Sequence, residues 1–139
     1  MIEFAITLPV LLVLMLFSTE LGELISQYDT LTKAVRDGAR YAASTAANGS
    51  TGLVFVSPQI QTAVANLVAT GNINGTGGAL LPGLSASNVT VSDAGNGYVS
   101  VSATYVYTPM LGPSIPSFGL GNPGSFAVTL NAAATMRAL

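Results

Sequence analysis

The sequence predicts an α+β fold: a long N-terminal α-helix, apolar in its first half, packed on a small antiparallel β-sheet of about three strands, with one short extra helix. Three observations predict it. Residues 2–19 form an apolar run in which Glu3 is the only charge. No proline or turn cluster interrupts residues 20–47, where apolar positions recur at steps of three and four. After residue 88 the pattern changes to alternation, the period of half-buried strands.

The apolar run is about 27 Å of helix, near the lower limit for crossing a bilayer. Eleven large apolar side chains lie between Phe4 and Phe17. Burying them is worth on the order of 16–33 kcal/mol as an upper bound, so water is not their resting place. A cleaved signal peptide is the competing reading. Against it, the run has no Lys or Arg ahead of it and no A-x-A-type cleavage site behind it, so the segment is expected to stay in the working chain.

Leu24, Tyr28, Leu31, Val35, Ala39 and Ala42 form the apolar stripe that carries the helix past the run. Asp29–Lys33 and Asp37–Arg40 are spaced as i,i+4 and i,i+3 ion pairs. Asn48-Gly49 suits a C-terminal cap. The chain thus divides into an apolar segment at 1–19, an amphipathic continuation at 20–48 and a small head domain at 49–139.

Within the head, residues 49–57 read as a loop. Ser57-Pro58 supplies an N-cap and a first-turn proline for a short helix with Ile60, Val64, Leu67 and Val68 on its apolar face, closed by Gly71. Residues 71–87 are rich in Gly and Asn and read as a long loop. Strands are expected at 88–92, at 98–107 with Val99, Val101, Ala103, Tyr105 and Tyr107 on one side, and at about 126–136 with Phe126, Val128, Leu130, Ala132 and Ala134 on one face. Asp93-Ala94-Gly95-Asn96-Gly97 is a hairpin turn by composition. Four prolines make 108–124 a loop.

Composition narrows the function. Eight of the ten charges fall in the first forty residues, and between Tyr41 and Met136 only Asp93 is charged. Such a charge-poor, Gly/Ala/Ser/Thr/Asn-rich region fits an exported protein built to self-associate, since charge is what keeps ordinary domains apart. With net charge −2 there is no basic patch for nucleic acid. Cys and His are absent, which removes the usual transition-metal ligands and the bases of nucleophilic triads. No cofactor, metal site or catalytic constellation is expected. Asp93 and Asn96 offer two oxygen side chains, too few for calcium. Three N-x-S/T triplets, at Asn48, Asn74 and Asn88, match the glycosylation acceptor pattern, which arises readily by chance in such a composition.

The run I-E-F-A-I-T-L-P-V-L-L-V-L-M-L-F-S-T-E-L-G resembles the N-terminus of TadE-like proteins of the tight-adherence (Tad) pilus system. Leu31–Ala43, L-T-K-A-V-R-D-G-A-R-Y-A-A, resembles that family's second block. The strand V-S-V-S-A-T-Y-V-Y-T-P-M-L and the closing A-A-A-T-M-R are similar to its later strands, while 48–87 carries no family pattern. The family glutamate is typically the fifth residue of the mature chain; here it stands at position 3.

The resemblance implies a type IV pilin-like fold and life cycle. A prepilin peptidase trims a leader, the helix rests in inner-membrane lipid, and an inner-membrane assembly platform moves subunits into an extracellular homopolymeric filament for adhesion or surface colonisation. The residues implied in filament assembly are Glu3, Phe4, Ile6, Leu8, Pro9, Leu11, Leu12, Leu14 and Phe17. Glu3 would neutralise a neighbour's N-terminal amine, the alternative being a carboxylate that only suits the helix dipole. Pro9 is expected to kink or loosen the run, or to be simply tolerated there.

Leu31, Val35, Gly38, Ala39 and Ala42 are expected to pack the helix on its own head. Glu20 and Glu23 are read as a solvated or interfacial helix face rather than an acid/base pair. Arg137, the only base after Arg40, is expected to pair with Asp37 or Glu23. Two other functions stay open: a minor pseudopilin at tip or base that primes assembly, and a membrane-anchored binding protein.

Overall fold

The computed structural model describes residues 2–47, 53–110, 112, 114–115, 124–125 and 127–138. Helix α1 runs unbroken over Ile2–Thr45, through Pro9. It ends three residues ahead of the expected Asn48-Gly49, which lies outside the described residues. Ala46 N–H still donates back to Ala42 O, after which Ala47 bridges Val54 and Phe55 N–H donates to Ala46 O.

Helix α2, Pro58–Thr70, begins where the sequence places a cap: Ser57 accepts from Ile60 N–H and proline opens the first turn. It ends on Gly71 at φ +74°, a left-handed conformation that closes the last turn on Leu67 O without Cβ strain.

Three antiparallel strands form the sheet in the order β1-β2-β5: β1 (Val89–Gly95), β2 (Tyr98–Val106) and β5 (Thr129–Arg137). The β1–β2 turn is Asn96-Gly97, both at positive φ, which matches the right-handed twist of the strands it joins. Asp93 Oδ1 accepts from Gly95 N–H beside a register shift in β1. Residues 108–124 are not wholly loop, because β3 (Ser114–Ile115) pairs with β4 (Gly124–Ser125). Phe126, expected on the last strand, lies outside the described residues.

The core is a single layer between α1 and the sheet, closed at one side by α2. Leu31, Val35, Ala39 and Ala42 from α1 meet Val64 and Val68 from α2 and Val99, Val101, Ala103, Tyr105, Leu130 and Ala132 from the sheet. Leu81 and Leu84 also plug it, from a stretch whose composition reads as plain loop. This is an α+β, pilin-like fold: a long N-terminal helix, one short helix and a three-stranded antiparallel sheet.

Candidate assembly surface

Among the described residues, the first half of α1 stands largely exposed. Phe4, Ile6, Leu8, Val10, Leu11, Leu12, Leu14, Met15 and Phe17 are all exposed, on every side of the helix. Glu3 is exposed at its start and Pro9 is half-buried. The helix is long and apolar enough to cross a membrane. Its few hydroxyls are satisfied locally: Thr7 donates to Glu3 O at 3.1 Å, Ser18 to Leu14 O at 2.9 Å and Thr19 to Met15 O at 3.0 Å. The segment therefore shows an apolar environment side chains without unmet donors, the condition for resting in lipid or among other helices.

Where the bare segment ends, the head takes hold through polar groups. Glu20 is only 7% exposed and accepts from the Tyr107 hydroxyl, with Met110 N–H at 3.4 Å from the same oxygen. Two helical turns on, Gln27 is equally buried. Its Oε1 accepts from the Tyr105 hydroxyl at 2.9 Å, its Nε2 donates to Glu23 Oε1 at 2.9 Å, and Pro82 O lies 3.0 Å from the same hydroxyl. Because β2 descends as α1 rises, Tyr105 meets the higher helix residue and Tyr107 the lower. Burial, and then the hydrogen bond and charge of Glu20, push the Tyr107 phenol well above its ordinary value; burial raises Tyr105 as well.

Glu20 thus departs from the expected solvated face, because the end of β2 covers it with a donor. The stripe shifts for the same reason. Tyr28 is exposed, and Gln27 takes the inward position because a buried tyrosine hydroxyl needs an acceptor. That need was the one sequence signal for the clamp: two tyrosines two residues apart on an otherwise apolar strand face.

The other helix residues singled out from sequence sit as follows. Leu31, Val35, Ala39 and Ala42 are buried in the core. Gly38 faces α2 so closely that a Cβ there would stand 2.6 Å from Val68 Cγ2 and 3.3 Å from Val64 Cγ1. Among the described residues the only ion pair is Asp29–Lys33, at 2.6 Å. Asp37–Arg40 is not formed, and Arg137 lies exposed at the end of β5 with neither Asp37 nor Glu23 as a partner. Its strand runs on to pair with Tyr98, which carries its side chain away from the helix. Among the described residues no cluster of acidic, His or Cys side chains could hold a metal ion. The open groove beside α2, lined by Pro58, Gln59, Thr62, Ala63 and Ile73, holds no titratable group.

A bare apolar helix clamped at its midpoint to a small α+β head defines the pilin-like class. Residues 1–40 match the family described as TadE-like protein, and the match supports a TadE-like protein of the Tad system. The matched stretch ends inside α1, so it covers both N-terminal sequence blocks up to Arg40 and none of the strands. That stretch is thus similar to a family tied to the Tad pilus system. No curated protein and no solved structure matches the chain.

Proposed function

We propose that this chain is a structural pilin subunit that self-assembles through the bare half of α1 into an extracellular Tad-type filament serving adhesion or surface colonisation. One observation carries the reading: the core of the described residues draws on none of residues 4–17, nine of whose large apolar side chains stand exposed. Lipid covers that segment before assembly and other copies cover it afterwards. An inner-membrane assembly platform and a prepilin peptidase act on the chain before it enters the filament. Glu3, just ahead of the apolar residues, supplies the charge that sets recruitment and register.

Electron microscopy of sheared cells, with mass spectrometry of the recovered fibre, tests the proposal. A bulk subunit dominates the fibre. A minor pseudopilin that primes assembly would appear only in trace amounts, and a membrane-anchored binding protein would stay with the cells.

A further inference from the structure

The head joins α1 sooner than the thickness of a bilayer would lead one to expect. From Glu3 to Glu20 the helix rises about 26 Å, against roughly 30 Å of bilayer hydrocarbon. With Glu3 level with one hydrocarbon boundary, Glu20 falls short of the other, and the part of the head at its height meets acyl chains. The polar groups there are already satisfied. Glu20 takes the Tyr107 hydroxyl, with Met110 N–H at 3.4 Å, and Glu23 accepts from Gln27 Nε2 at 2.9 Å. Between Glu3 and Asp29 no charged side chain of α1 is exposed, while Leu21, Ile25 and Tyr28 are. Tyr28 stands about 38 Å from Glu3, the depth of the headgroups, where an amphipathic ring is at home.

The sheet is divided along the same axis. Tyr107 and Tyr105 bring the end of β2 to Glu20 and Gln27, whereas a Cβ at Gly38, further up the helix, would stand 3.8 Å from Val101 Cγ1. Asp93 and Arg137, the charged residues of the sheet, are paired with Val99 and Tyr98 at the end away from Glu20. The end near Glu20 exposes Val106, Thr108, Met110 and Thr129 and no charge among the described residues. Val106 is 59% exposed. Met110 is 76% exposed even though its own N–H is turned to Glu20. A span shorter than the hydrocarbon ordinarily thins the bilayer around it. An uncharged, apolar edge on the head supplies the missing length instead.

We propose that Val106 and Met110 of the head, with Leu21 and Ile25 of α1, form a rim that seats the head in a lipid surface, the four side chains among the outermost acyl chains and Tyr28 among the headgroups. This rests on the reading that lipid covers α1 before assembly, and it names the part of the head that lipid reaches.

The chain has neither Trp nor Cys, so a single introduced reporter reads cleanly. Full-length Leu12→Trp, Met110→Trp and Tyr98→Trp are placed in phosphatidylcholine vesicles brominated either near the carbonyl end of the acyl chains or deeper. The seated rim predicts that Met110→Trp is quenched most by the shallow bromine and Leu12→Trp most by the deep one. Tyr98→Trp should respond to neither and stay open to aqueous iodide. A Met110→Trp that behaves like Tyr98→Trp while Leu12→Trp is quenched overturns the rim and leaves the lipid reading standing. Leu12→Trp quenched by neither lipid sinks the lipid reading first, and this inference with it. Because Trp itself favours membrane interfaces, a second measurement uses a reporter without that bias. Val106→Cys in vesicles should react with a water-soluble maleimide about tenfold more slowly than Tyr98→Cys, since lipid excludes the reagent. Equal rates at these two positions, both exposed in the chain itself, would overturn the seat.

Discussion

Glu20 is the one charged side chain buried among the described residues, and its stability depends on Tyr107. Replacing Tyr107 with Phe keeps the ring's packing and removes a charge-assisted donor from a carboxylate that has little access to water. The expected loss is about 1–3 kcal/mol, read as a lower unfolding midpoint of the full chain in detergent micelles. The same pair gives a pH signature. A phenol whose folded-state pKa is raised contributes fully below its unfolded value, near 10, and loses that contribution as the pH climbs above it. Stability should therefore be flat in this respect up to about pH 10 and fall beyond it, and Tyr107→Phe should shallow the alkaline fall. Gly38 makes the opposite kind of demand. Gly38→Ala gains about 1 kcal/mol of helix propensity. It also drives a Cβ into Val68, a short, stiff and wholly buried side chain, at a cost of about 1–3 kcal/mol. A net fall in the thermal midpoint by circular dichroism is expected; a rise would show that α2 yields easily. At Glu3 the expectation concerns assembly rather than stability: Glu3→Gln should sharply reduce filaments counted by microscopy while the subunit's membrane level by immunoblot stays near normal.

At the scale of elements, what could be read from sequence was what local periodicity encodes. The long helix, the Ser57-Pro58 start and Gly71 stop of α2, and the alternation of Val99, Val101, Ala103 and Tyr105 all follow from spacing and backbone chemistry within a few residues. What was missed depends on partners far along the chain. Tyr28 and Gln27 are one residue apart on the helix, and hydropathy favours Tyr28; only the Tyr105 hydroxyl, 78 residues on, turns Gln27 inward. Leu81 and Leu84 sit in a Gly-rich stretch with no period, so nothing local marks them as core. Only scarcity of charge points Arg137 toward a carboxylate, and scarcity does not fix direction. The β1–β2 hairpin belongs to the readable kind, and its turn can be tested. Gly97 stands at φ +81°, where a Cβ is strained, so Gly97→Val should cost about 1–2 kcal/mol. Amide exchange at Val99 and Val101 should quicken accordingly; unchanged protection would mean that strand pairing, not the turn, sets the register.

The whole molecule is two things joined by one helix. From Leu24 onward α1 is part of a packed core shared with α2 and the sheet; before Glu20 it supplies no residue to that core among the described residues. The clamp lies on the head side of that division, since Glu20, Glu23 and Gln27 all fall beyond the apolar run. Cutting between Thr19 and Glu20 should therefore leave the head's core and its polar contacts in place. It also removes the eleven large apolar side chains whose burial is the main driving force for both membrane insertion and assembly. The chain lacking residues 1–19 is expected to be a soluble, folded monomer that never forms fibres. Sedimentation gives the mass, circular dichroism the retained helix and sheet, and electron microscopy the absence of filaments. A truncated chain that still built the same filament would place the assembly surface on the head and leave the bare helix as a membrane anchor alone. Aggregation of a truncated chain that had lost its sheet signal would mean that the first turns of α1 support the fold, contrary to the separation argued from burial.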